Sequence, residues 1–347
     1  MNNEQHHAIN NSVTSASICN DTIPKAYFHL PGLFEFYELY QVFLPLFYSH
    51  REYFYDWCEI GSIYGAPADC LWGGGRVGFG EADPYKVKKL MEEYQISARL
   101  TFSNSILREE HLKDRHCNRL AELFENVCTD RLAESAYHRG EVKAVKKFTE
   151  GSDCVENRNG IILHSDLLLN YLKKQYPGFY LVSSTTKVLT DFEALRREIN
   201  REEFRYVVPD FRLNKVWDRL KTLSQEQKDK VEFLCNECCW FGCSDRRACY
   251  ENVSRKNLGE SCPDHICQAP DSSEGYRFSK AMSNPGFISI ADIQEHYLPM
   301  GFSNFKIEGR SLGSAVVLEF LLYYMTKPEY HLQVREEIYL DSMLDLF

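Results

Sequence analysis

The sequence predicts an α/β protein, a (β/α)8 TIM-like barrel with a helical insertion and a cysteine-rich loop after the seventh strand. Three observations predict it. Eight short β-like runs recur along the 347 residues, and most are separated by stretches with apolar residues at helical spacing. Several of the runs give way at once to polar residues, as strand ends converging on one face of a barrel do. Alternation of this kind calls for parallel strands joined by crossover helices, and eight units close a barrel.

Residues 1–23 are polar, lack the apolar centre of a signal peptide, and are expected to form a disordered tail, leaving 24–347 as one barrel domain. The first strand falls at 26–30. The aromatic stretch 34–48 that follows is interrupted by Glu35 and Glu38 and is shorter than the roughly 20 apolar residues that span a membrane, so it reads as a buried amphipathic helix. Strands two and three fall at 57–64 and 98–103. Residues 105–159 are too long for one helix, and contain helical stretches near 116–127 and 141–149, so an inserted excursion is expected there. Strands four to seven follow at 160–164, 179–184, 206–209 and 231–234, with helices at 166–176 (DLLLNYLKKQY) and 215–223. The loop 235–283, rich in Ser, Pro, Asp and Gly beyond residue 250, precedes the last strand at 302–307 and an apolar helix at 314–325. Excursion and loop are expected to lie over one end of the barrel, as lids do.

Composition narrows the function classes. A hydrophobic content of 44% suffices for a sizeable core. A net charge of −10 and a pI near 5.6 argue against a DNA-binding surface while leaving room for a local basic pocket. With no export signal and no membrane span, a cytoplasmic location is expected, where thiols bind metal more often than they pair.

Seven of the thirteen cysteines (Cys235, Cys238, Cys239, Cys243, Cys249, Cys262 and Cys267) fall in one stretch of 33 residues. Thiolates are soft ligands for zinc or iron–sulfur clusters, and four suffice. The preferred ligands are Cys239, Cys243, Cys249 and Cys267, with Cys235 or Cys238 as substitutes for the first. A [4Fe–4S] cluster is favoured. Zinc stays open because His265 adds an imidazole, and the competing reading is small apolar packing or a Cys235/Cys238 redox pair.

The loop Leu71-Trp72-Gly73-Gly74-Gly75-Arg76 after the second strand would let backbone amides approach an anion or cofactor, with Arg76 adding charge, or would simply be a turn. At the strand ends, His164 and Asp166 are candidate proton carriers, and Asp210 with Arg212 ends another strand. Asn236 and Glu237 end the seventh strand and Glu308 and Arg310 the eighth, where a carboxylate and a guanidinium on one face suit an anionic substrate or a buried ion pair. The basic run 143–147 reads as a solvated helix face.

The segment Phe305-Lys306-Ile307-Glu308-Gly309-Arg310 is similar to the KIEGR segment near the end of the barrel in the collagenase-like peptidase family. Its members include iron–sulfur RNA hydroxylation enzymes and the paired proteins of oxygen-independent ubiquinone hydroxylation. The GIILHSD and FYLVSSTTKV strands resemble that family's mid-barrel strands. The resemblance implies a barrel in which four cysteines downstream of a strand bind a [4Fe–4S] cluster. The family's G-x-C-x-[LIVM]-S signature is absent, so what is implied is hydroxylation or a related redox reaction, without requiring proteolysis.

The function expected from the sequence is an iron–sulfur-dependent modification of an RNA, peptide or small molecule, with a protein partner supplying electrons. The alternatives are a non-catalytic binding or assembly protein stapled by zinc or a cluster, and a peptidase.

Overall fold

Eight parallel strands form a nearly closed barrel in the computed structural model, which describes residues 23–75, 82–125, 158–274 and 277–344. They are β1 (Ala26–Pro31), β2 (Cys58–Gly65), β3 (Ser97–Phe102), β4 (Gly160–Leu163), β5 (Tyr180–Ser183), β6 (Phe204–Val207), β7 (Glu232–Leu234) and β8 (Asn304–Lys306). Each coincides with an expected strand to within two residues at either end. Their order is β6-β5-β4-β3-β2-β1-β8-β7, and a parallel bridge between Val207 and Val231 brings β6 to β7. The (β/α)8 architecture read from the alternation is the one found.

The helices between strands start where the sequence supplies caps. Asp83 accepts from Tyr85 N ahead of α2 (Pro84–Glu93), and Asp114 accepts from Cys117 N ahead of α3 (Arg115–Phe124). Ser165 opens α4 (Asp166–Gln175) and Asp191 opens α5 (Phe192–Ile199) in the same way. Such side-chain acceptors satisfy amide groups that the first helical turn leaves without partners. The aromatic stretch forms α1 (Tyr37–Ser49), which buries Leu39, Tyr40, Phe43, Leu44, Leu46 and Phe47, as its pattern predicts. No helix among the described residues is long and apolar enough to cross a membrane. Of the expected excursion, residues 105–125 and 158–159 are described and contain α3; the helix expected at 141–149, the 1–22 part of the tail and Arg76 lie outside the described residues.

The interior of the barrel is layered in an unusual way. Its upper layer is apolar, made by Tyr64, Ile162, Val182, Val208 and Leu234. Beneath it lies a layer of charge, with Glu232 fully buried between the guanidinium of Arg99 and the Lys306 ammonium, the latter at 3.2 Å. Arg99 Nε donates to Tyr180 Oη at 2.7 Å, and its guanidinium lies 4.7 Å from the Tyr206 ring centre. His29 completes the layer, with Nδ1 2.8 Å from Ser62 Oγ and Nε2 3.4 Å from Asn304 Oδ1 and 3.6 Å from Glu232. Barrels are ordinarily filled by branched aliphatic side chains; here buried charges persist because each is paired and hydrogen-bonded.

Candidate active site

A pocket opens above the apolar layer, at the C-terminal ends of the strands, with room inside of about 50 Å³. Its floor is Tyr64, Ile162, Val208 and Leu234 together with the Lys306 side chain. Its rim carries Glu237, Glu308, Arg310, the hydroxyls of Ser184, Thr185 and Thr186, and Tyr250. Two further lining hydroxyls, Thr101 Oγ1 and Ser103 Oγ, are buried and have no hydrogen-bond partner among the described residues. A buried hydroxyl without a partner costs free energy, and a polar ligand in this pocket would recover it.

The strand ends place the carboxylates. Asn236 clamps β7 to β8, its Nδ2 donating to Glu308 O at 2.9 Å and its Oδ1 accepting from Glu308 N at 2.7 Å. Asn236, expected from the sequence as a substrate- or cofactor-binding residue, thus positions Glu308 from behind and is not among the residues that line the pocket. Glu237 accepts from Cys239 N at 2.9 Å and pairs with Arg246, which is itself buried and reaches Asp210 at 2.7 Å. Asp210 in turn holds Arg212, at 2.6 Å, so this carboxylate anchors two arginines and is held below the usual range against the opposing effect of burial.

The glycine-rich loop works as a strap. Trp72 O accepts from Asn104 N at 3.0 Å, and Gly73 O accepts from Asn257 Nδ2 at 2.9 Å at the end of the helix Arg246–Asn257. Gly74 lies flat against the end of β3, where an added Cβ would fall 2.3 Å from Ser103 O, and its own carbonyl accepts from Arg310 Nη2 at 3.3 Å. Gly75 adopts φ +78° beneath the same guanidinium and lines the pocket. Gly74→Ala must push the loop off backbone atoms, so it is expected to destabilise the protein by about 1–3 kcal/mol and to loosen Arg310. A denaturation midpoint equal to the parent's would contradict this.

Two expected proton carriers sit apart from the pocket. His164 Nδ1 lies 3.0 Å from Thr186 Oγ1, which bonds Ser184 Oγ at 3.0 Å, so it touches the rim only through hydroxyls. Burial, then Lys187 and Arg247, push its pKa down to about 4, which leaves a neutral imidazole at physiological pH. Asp166 is 65% exposed in the first turn of α4 and pairs with Arg201 at 2.9 Å. That places it on the surface, because a helix start directs its side chain to solvent.

The cysteine-rich loop contains a helix, Arg246–Asn257, where only a loop is expected from the sequence, and Tyr250 from it lines the pocket. Of the four preferred ligands, Cys239 and Cys243 are largely buried, Cys249 lies in the first turn of this helix, and Cys267 is exposed. Burial pushes the Cys239 thiol well above its usual pKa. No three of the clustered thiols lie within 4.8 Å of one another, so this arrangement does not present a gathered single-ion site. Glu237, Cys238 and Glu308 do bring ligand atoms that close, but the Arg246 guanidinium already meets the Glu237 charge without a metal ion. Cys235 is buried at the end of β7, its thiol pointing to Phe233 O at 3.5 Å, which removes it from the exchangeable ligands.

Lys306, Tyr64 and Tyr250, which line the pocket, and Arg99, Glu232 and Arg246, which support it, are not among the site residues expected from the sequence. The available signal was a charge at an inward position of an otherwise apolar strand, as in SARLTF and EFL.

No family model matches the chain, and no curated protein does. One solved structure that matches is of a U32 peptidase, in the collagenase-like group, with a TM-score of 0.38 and 10% identity over 72% of this chain and 84% of that one. A likeness that loose does not carry the peptidase's activity to this chain.

Proposed function

We propose that the chain is an enzyme whose active site is the pocket at the strand C-termini, acting on a small or protruding substrate that carries hydrogen-bonding oxygen and negative charge. The observation that carries this reading is the convergence of two carboxylates, Glu237 and Glu308, two cations, Lys306 and Arg310, and the unpartnered hydroxyls of Thr101 and Ser103 on one pocket. Barrel enzymes place their chemistry at this end. Arg310, aimed across the Tyr64 ring at 5.9 Å, supplies charge for an anionic group, while Glu308, fixed by the Asn236 clamp, is placed to hold or move a proton.

A redox or hydroxylation-type modification is the second reading, favoured by the crowding of thiols on the segment that covers the pocket. A [4Fe–4S] cluster held by Cys239, Cys243, Cys249 and Cys267 would supply electron transfer there, and the donor chemistry suits it.

The test is a comparison of cells lacking the gene with cells carrying Glu308→Gln, by metabolite and modified-nucleoside profiling. A product lost from both profiles is the expected result; profiles that match the parent in both would overturn the enzyme reading and favour a binding protein. Anaerobic purification with iron, sulfide and zinc analysis, repeated on Cys239→Ala and Cys243→Ala, decides the second reading: iron and sulfide lost in the variants support it, and metal-free folded protein sinks it.

A further inference from the structure

We propose that Lys306 is the nucleophile of the pocket and forms an imine with a carbonyl-bearing substrate, an aldehyde or ketone that also carries an anionic group. This rests on the reading of the pocket as an active site and names its substrate class.

The argument begins with charge balance in the buried layer. Arg99 and Glu232 already neutralise each other. His29 is neutral: its Nδ1 faces the Ser62 hydroxyl, its Nε2 faces Asn304 Oδ1 and the Glu232 carboxylate, and burial, then Arg99, push its pKa down to about 3. A protonated Lys306 therefore leaves the layer with one positive charge in excess, since it shares a carboxylate that a guanidinium already occupies. The groups facing it are Glu232 from β7, Arg99 from β3, His29 from β1, Tyr64 from β2 and, farther up, Arg310. Burial, with Arg99 and Arg310 adding to it and Glu232 opposing, brings the amine down to about 8. At pH 7 roughly a tenth of such an amine is free, far more than of an ordinary lysine, and the free form is the one that attacks.

Position supplies the rest. The Lys306 side chain is part of the pocket floor beside Ile162, Val208 and Leu234, and its amine lies 3.4 Å from the centre of the Tyr64 ring. Thr101 and Ser103 line the same pocket with buried, partnerless hydroxyls, which can hold the oxygen of a carbonyl or of the addition product. Glu308, two residues on along the same strand face, carries the proton. In the step, the amine lone pair forms the N–C bond and the C=O π pair moves to oxygen, which takes one nitrogen proton. The protonated Glu308 gives that oxygen a second proton as the C–O bond breaks and water leaves, and the remaining nitrogen proton passes to the Glu308 carboxylate, leaving the imine. No oxidant or reductant is consumed.

The test incubates the full chain with glyoxylate and sodium cyanoborohydride at pH 7 and maps carboxymethylated lysines by tandem mass spectrometry. Hydride from the reagent reduces an imine to a stable secondary amine, so the site is recorded covalently. Given ordinary surface lysines near pKa 10.4, Lys306 is expected to be modified on the order of a hundredfold faster than they are. Lys306→Arg, which keeps a cation and cannot form an imine, is expected to lose this adduct while surface labelling persists. Adducts confined to surface lysines in the parent chain overturn the proposal, and that mapping decides it even if the arginine variant fails to fold. A product lost with Glu308→Gln in cells, together with an unlabelled Lys306, would sink the imine and leave the pocket reading standing.

Discussion

Glu232→Gln is expected to cost the barrel about 3–5 kcal/mol, the usual result of removing one partner from a buried ion pair. The side chain is fully buried and glutamine matches its shape, so the loss comes from charge rather than from packing. Arg99 would remain inside the barrel with its guanidinium facing a neutral amide and the rings of Tyr180 and Tyr206. Urea denaturation of parent and variant measures it, and a difference below about 1 kcal/mol would mean the layer is not held by this carboxylate. The same layer sets an acid limit. Burial pushes Glu232 up, but Arg99, His29 and Lys306 together hold it well below the usual carboxylate range. Its contribution is thus complete above the unfolded value of about 4.3 and is lost as pH falls below that. His29, neutral when folded with a pKa of about 3, adds a loss that begins below about 6.5, its unfolded value. Stability should accordingly start to fall near pH 6 and steepen below pH 4.

Arg246→Met is expected to be of similar size, about 3–5 kcal/mol, and to damage the pocket as well. Arg246 is 2% exposed and ties Asp210 to Glu237, with its guanidinium 4.8 Å from the Phe211 ring centre and 5.3 Å from that of Tyr250. Asp210 keeps Arg212, but Glu237 loses its cation beside a second carboxylate, Glu308. The cysteine arm depends on that anchor, since Glu237 holds the Cys239 amide and its carbonyl accepts from Asn284 Nδ2 at 3.1 Å. Hydrogen exchange across residues 237–250 should rise in the variant relative to the barrel strands; equal protection in both chains would show the arm to be held elsewhere.

The barrel was legible in the sequence because its evidence is periodic and local. Short apolar runs such as GIIL and YLVS need both faces buried, and cap residues such as Ser165 and Asp191 announce the helices between them. The ends of β7 and β8 were legible for the same reason, and they do bring Glu237, Glu308 and Arg310 together. What the sequence hid is decided across the barrel. His164 and Asp166 are neighbours in sequence, yet a strand end and a helix start turn them to different surroundings. Asn236 carries the donor and acceptor of a ligand contact, but both are used on the Glu308 backbone. Cysteine spacing counts donors without saying how a helix and two irregular segments will separate them.

The buried charge layer also bears on how the chain reaches its fold. Arg99 enters with the third strand and Glu232 with the seventh, 133 residues later, and Lys306 arrives only with the eighth. During synthesis, a nascent chain that has made its first two hundred residues holds the arginine and the histidine of the layer without the carboxylate that makes them tolerable inside. That disfavours settled packing of the first five strands alone and makes closure of the ring depend on the strands that bring Glu232 and Lys306.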